Sequence, residues 1–453
     1  MDKILMCDPH EGCNKLWMLG LQRPGQRCKG QRGIGNGDYL IVFQAGVGGA
    51  VGDPLTIPRD GTTTPCMLEH NFDQEIDRRN TGSLKWEKYV GTEVLPMWVA
   101  DMDFASPPAV IDALQKRVAH SVFGYSRPHA SLVEVTIAYL KRVHGVDVDP
   151  SWIVWLPGCV PALSMACGAT GEPGASVMTN SPVYPPFLHV HRDSGRQLIN
   201  VPLACDAETN SGYTFDFDAM EAAITPDTRV FLLCNPHNPV GRVFNDAELE
   251  ALIEFCNRHD LMLCSDEIHC DLVFDDAPSP HRTAIGFPES IRDRTITLLA
   301  ASKTYNVAGL ACAYAVIPNP TLRRKFIAAG GKLIPEISPL SFHATEASYR
   351  DGELWRQQLM AYLKANRDAL ATFVAGQLAP IKMAQMEATY LAWLDVRGLG
   401  LENPGGHFES HGVGLSNGAD FGAPGFLRLN FGCTRKTLEE AMARMIRAVE
   451  AIR

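Results

Sequence analysis

Between about residues 150 and 320, short apolar runs alternate with amphipathic stretches, and this narrows the possible folds more than any other feature. The runs are WIVWL, ASVMTN, RQLINVPL, VFLLC, LMLCSDEIH, TITLL and CAYAVI. They are rich in β-branched residues and leucine, and nearly continuous in apolar character, as strands covered on both faces are. AELEALIEFCNRHD has helical spacing, and a helix is expected over roughly 160–170. The pattern predicts an α/β fold, with a mostly parallel sheet and helices on both faces. Ligands of such sheets bind at the carboxyl ends of the strands, and the notable polar residues fall there.

Lys303 follows TITLLAAS directly. A lysine just past a buried strand is partly desolvated, which lowers its pKa and frees the amine as a nucleophile or base. Ser-Lys-Thr alone fits a solvated loop equally well. Asp266 ends another strand, where a carboxylate needs a cationic partner. Asn238 lies between Pro236 and Pro239, which stiffen the turn. Gly158–Cys159–Val160 precede a helix, so their N–H groups favour a phosphate. Tyr184, flanked by prolines, offers a ring for stacking. Asp266 could instead cap a helix, and Tyr184 and NPHNP could be plain turn residues. On successive strand ends, the set suits a phosphate, a ring with a protonated nitrogen and an oxygen, and an aldehyde for a lysine. Pyridoxal 5′-phosphate (PLP) has all of these.

A chain of 453 residues has room for two or three domains. The net charge of −10, without a dense Lys/Arg run, argues against nucleic acid as a partner. The 13 cysteines form no CxxC pair or Cys/His array, so no metal is expected, and reduced thiols point to the cytoplasm. His189 with His191, and His407 with His411, read as surface histidines, and Asp101-x-Asp103 as loop capping. The start lacks a signal-peptide core, and the run from Tyr39 to Phe43 is too short to span a membrane.

Residues 1–66, with the glycine-rich 46–54, read as a flexible or non-native extension, and Met67 is a candidate natural start. Residues 67–106 would be an arm contributing to a small domain, 107–342 a large domain, and 343–453 the C-terminal small domain. Helices are expected after Ser106 as N-cap, with Val110, Leu114 and Val118 as the apolar stripe, and from Ser131 to Gly145 as C-cap. Further helices are expected across ELWRQQLMAYLKANRDALATFVAGQL and from Leu438.

From about Asn71 onward the chain resembles fold-type I PLP enzymes of the class I/II aminotransferase superfamily, in particular their cystathionine β-lyase (C–S lyase) branch. The matching motifs are WVADMDF, VFGYSRP, SPVYPPF, NPHNPVGRVF, SDEIHCDLVF, ASKTYNVAGL and FLRLNFGC. The resemblance implies that Lys303 carries the cofactor and then moves the Cα proton. It implies that Asp266 pairs with the ring nitrogen and Asn238 with the ring oxygen, that His269 lies near it, and that Tyr184 stacks on the ring. Cys159 and Val160 by backbone, and Ser302 by side chain, would hold the phosphate. Arg428 would grip the substrate carboxylate as a bidentate fork. Tyr125 would reach the cofactor phosphate of a second subunit, so a homodimer with shared sites is implied. The implied activity is β-elimination from L-cystathionine or related cysteine S-conjugates, giving a thiol such as homocysteine, pyruvate and ammonia, a step towards methionine. An aminotransferase is the alternative, and a PLP-binding regulator without turnover a further one. Ala300 and Ala311 stand where a typical transaminase keeps phosphate donors, which favours the lyase.

Overall fold

The computed structural model describes residues 70–452, together with two strands, Tyr39–Val42 and Leu55–Pro58, that pair antiparallel. The expectations for the rest of the extension and for Met67 lie outside the described residues. Residues Glu69–Arg453 form one compact unit.

Its centre is a seven-stranded sheet. In chain order the strands are β1 (Ile153–Leu156), β2 (Ser176–Thr179), β3 (Gln197–Asn200), β4 (Thr228–Cys234), β5 (Met262–Asp266), β6 (Thr295–Leu299) and β7 (Ala313–Val316). Their spatial order is β1-β7-β6-β5-β4-β2-β3. Every pairing is parallel except those of β7, which runs antiparallel to both β6 and β1. Residues 300–312 therefore join two neighbouring strands across the carboxyl end of β6, and Lys303 lies in this connection.

Seven helices matter below: α1 (Pro108–Ala119), α2 (Ala130–His144), α3 (Cys159–Gly168), α4 (Asp246–Arg258), α5 (Pro339–Asp351), α6 (Glu353–Gln377) and α7 (Arg435–Glu450). Strand β4 shows why both sheet faces are covered. Its Val230, Leu232 and Cys234 join an apolar layer with α3, and the alternate Phe231 and Leu233 join another with α4. Each fully buried side chain of this kind contributes about 1.5–3 kcal/mol. Helix α4 starts in a capping box between Asn245 and Glu248. Helix α2 ends at Gly145 with φ 70°, a left-handed C-cap where glycine carries no Cβ penalty.

A second sheet holds β8 (Lys382–Met383), β9 (Leu391–Asp395), β10 (Ser416–Asn417) and β11 (Phe426–Asn430) in the antiparallel order β8-β9-β11-β10. The 25-residue α6 matches the helix expected there. No helix among the described residues is long and apolar enough to cross a membrane.

Five local expectations need correction. Pro107, not Ser106, occupies the N-cap of α1, and the Ser106 hydroxyl donates to the Asn306 carbonyl instead. Val118 is exposed, because α1 buries little beyond Val110. The last helix starts at Arg435, since the Thr434 side chain caps it one turn before the apolar pattern begins. Asp101 and Asp103 do not cap a loop: Arg78 pairs with both, and Lys85 with Asp103. Of the four histidines read as surface residues, only His189 is exposed; His191, His407 and His411 are half-buried, with His407 Nε2 2.7 Å from the Ala448 carbonyl.

Candidate active site

Two cations meet one stretch of backbone. Lys303 Nζ donates to the Ala100 carbonyl at 2.8 Å, and Arg428 Nη2 donates to the Trp98 carbonyl at 2.9 Å. Burial first, and the Arg428 charge second, hold the Lys303 amine below its usual range. That is the state a nucleophilic or proton-moving lysine needs.

Arg428 is 4% exposed on β11, between the neighbouring strands β9 and β10. Its Nη1 donates to Asn238 Oδ1 at 3.0 Å, and its guanidinium lies 4.6 Å from the Phe421 ring centre. Burial lowers its pKa to about 10. Among the described residues no carboxylate pairs with it, and its buried Nε has no hydrogen-bond partner. A buried cation without an anion costs several kcal/mol. An incoming carboxylate would meet that unfilled donor.

Asp266 is the mirror case. It closes β5 at 5% exposure, and among the described residues its carboxylate accepts only the Ile268 N–H, at 3.2 Å. Among the described residues no lysine or arginine forms an ion pair with it. Burial is the leading cause that pushes its carboxyl from 3.8 up to about 7. Between about pH 4 and 7 the unfolded chain then holds fewer protons than the folded one. Asp266's contribution to stability is therefore full in acid and lost as pH rises through 7. In urea unfolding of the cofactor-free protein, Asp266→Asn should gain on the wild type from pH 5 to pH 8. A difference independent of pH would refute the raised pKa.

Asn238, with its oxygen engaged by Arg428, has its Nδ2 left as donor, and its carbonyl accepts the Tyr184 N–H at 3.0 Å. Tyr184 is half-buried before the helix that Pro185 starts. His269 is 2% exposed, its pKa lowered to about 3 by burial first and then by Lys303 and Arg428, so the ring is neutral. Its Nδ1 has no partner. Gly158 caps α3 without any side-chain acceptor, which leaves the N–H groups of Cys159 and Val160 uncapped by any side chain. Ser302 is half-buried beside Lys303, and Ala300 is buried while Ala311 takes a left-handed φ of 48°. Tyr125 stands apart at 98% exposure, among the exposed Val122 and Phe123.

Sequence reasoning marked Trp98–Phe104 as a family motif but missed that its backbone meets the two cations. Its carbonyls are held one after another: Val99 and Asp101 by Asn430 Nδ2 at 2.6 and 2.9 Å, and Met102 and Phe104 by Asn306 Nδ2 at 3.0 and 2.7 Å. Lys85, fully buried, adds bonds to the Asp101 carbonyl at 3.0 Å and to Asp103 at 2.6 Å. The available signal was the pair of aspartates near an arginine and a lysine in an otherwise apolar motif.

The donor set fits pyridoxal 5′-phosphate. Asp266 lacks a cationic N–H, Asn238 has a free amide donor, and His269 and Arg428 carry unpartnered buried nitrogens. The uncapped start of α3 suits a phosphate.

Comparison with known proteins points the same way. The family model for aminotransferase class I and II matches residues 92–445. Cystathionine beta-lyase PatB of Bacillus subtilis is 36% identical over 391 residues, covering 83% of this chain and 98% of PatB. A crystal structure of OvoB superposes with a TM-score of 0.80 at 42% identity, over 84% of this chain and 99% of OvoB. Cystalysin from Treponema denticola, which contains pyridoxal 5′-phosphate, matches with a TM-score of 0.80 at 31% identity, over 85% of this chain and all of cystalysin. Matched along nearly the whole of Glu69–Arg453, with the side-chain cluster just described, the chain belongs to the aminotransferase class I and II family.

Proposed function

We propose that this chain is a PLP-dependent carbon–sulfur β-lyase acting on L-cystathionine or related cysteine S-conjugates, working as a cytoplasmic homodimer. The observation that carries the reading is the crevice where a depressed lysine amine, a cation-free Asp266 and an anion-free Arg428 converge. The choice of lyase is supported by the named activity of PatB, and by alanines at positions 300 and 311.

When bound, the cofactor supplies an aldehyde for amines and a protonated ring that accepts electrons from Cα. Asp266 holds the proton on that ring nitrogen, and Asn238 Nδ2 donates to the ring oxygen, with His269 beside it. Tyr184 covers the ring. The N–H groups of Cys159 and Val160 and the Ser302 hydroxyl hold the phosphate. Arg428 fixes the substrate carboxylate and so orients the Cα–H bond. Lys303 removes the Cα proton, the Cβ–S bond breaks, and the ammonium just formed can return the proton to the departing thiolate. Addition of water balances the reaction: L-cystathionine and water give homocysteine, pyruvate and ammonia. Tyr125, too exposed to serve its own crevice, would complete the site of a second copy. In this reading residues 67–106 are an arm, 107–342 a large domain and 343–453 a small one.

The test is purified holoenzyme with L-cystathionine and no oxo acid. Pyruvate and free thiol should appear in equal amounts. Turnover only when an oxo acid is added would establish the aminotransferase reading instead.

A further inference from the structure

Beyond the crevice, a second group of side chains has the makings of a ligand site. His343 and Glu346 are three apart on α5, which places both on one helix face. His129, the N-cap residue of α2, meets them: its Nε2 lies 2.5 Å from Glu346 Oε2, and its ring stacks on that of His343 with centres 4.8 Å apart. One ligand atom from each of the three lies within 4.8 Å of the others. We propose that His129, His343 and Glu346 bind a zinc-type divalent ion that fastens the segment 120–129, and with it Tyr125, to α5.

Two imidazoles and a carboxylate form a known three-ligand set for zinc, with the fourth position left to water. Metal–ligand bonds of about 2.0–2.1 Å space tetrahedral ligands roughly 3.3 Å apart. Side-chain rotation covers that adjustment, and the helices need not move. A cavity of about 730 Å³ borders all three residues and leaves room for the water ligand. Arg350 pairs with Glu346 Oε1, which orients the carboxylate and leaves Oε2 for the ion. Lys116, Arg117, Arg127 and Arg350 line the cavity against Asp112, Glu346 and Asp351. The local field is thus near neutral, and affinity has to come from the ligand geometry. Another His/Cys/Asp group, His144 with Cys270 and Asp271, is a weaker candidate because Tyr139 already donates to Asp271 at 2.6 Å. His129 and Glu346 are 217 residues apart, which hid the triad from any reading by motif.

Cobalt(II) titration of the metal-stripped, full-length holoenzyme tests the site. One equivalent per chain should bind, with a visible d–d band and no thiolate charge-transfer band, because no cysteine belongs to the triad. Affinity should fall at least about tenfold in His343→Ala and in the isosteric Glu346→Gln, and stay unchanged in His411→Ala, which breaks the contact between His407 and His411. Hydrogen exchange of residues 121–128 should slow on binding. The proposal is overturned by the absence of saturable binding, by a thiolate band, or by binding that survives both triad substitutions.

Discussion

Lys303→Ala should lower turnover of L-cystathionine by at least about 10⁴-fold. One side chain provides both the covalent attachment and the proton transfer, and the proton transfer alone is worth about 10²–10⁴. The loss should have a chemical signature independent of rate. After borohydride treatment, the wild-type chain should gain the mass of the reduced cofactor, and the variant should not. Mixing the variant with Tyr125→Ala chains should then recover activity, because one site of each mixed dimer would combine an intact Lys303 with an intact Tyr125. Turnover that survives in Lys303→Ala would remove this lysine from the chemistry. Mixtures that stay inactive while exchanging subunits would confine Tyr125 to its own protomer.

For Arg428→Lys the expectation is about a hundredfold fall in kcat/KM, carried by KM. Charge is kept, but the planar fork is lost. A hydrogen bond to a charged group contributes about 1.5–3 kcal/mol, which corresponds to roughly one to two powers of ten. Cofactor affinity should be nearly untouched, since the roles assigned to the cofactor fall to Asp266, Asn238 and the start of α3. A variant with normal KM and reduced kcat would show that Arg428 acts on the bond-breaking step and not on substrate recognition.

How much of this was legible in the sequence differs by residue. Lys303, Asp266, Asn238, Tyr184 and Cys159 each lie just past or at the end of an apolar run, so strand periodicity placed them. The structure brings them to one end of the large sheet, as that reading expects. Arg428 lies in the middle of a strand, in the other sheet, and only family resemblance marked it. Its contact with Trp98 spans 330 residues. The segment from Trp98 to Phe104 was opaque for a related reason. WVADMDF has neither helical nor strand periodicity, and its carbonyls are satisfied by side chains from remote segments rather than by a ladder. Ser106 misled because a good capping residue followed by two prolines has two registers, and the hydroxyl found a partner in Asn306. The His129 triad left no local trace.

The carbonyls of Trp98 and Ala100 give the segment from Trp98 to Phe104 an unexpected part in ligand exchange. Both cations are bound to carbonyls of a segment whose neighbouring carbonyls, those of Val99, Asp101 and Met102, are held by Asn430, Lys85 and Arg78. Ligand capture therefore swaps one ordered partner for another, with little solvent to rearrange. The swap is reciprocal, as any linked equilibrium is. Once the amine of Lys303 is engaged elsewhere, Ala100 loses a donor, and the freedom of its segment becomes a readout of whether the site is filled.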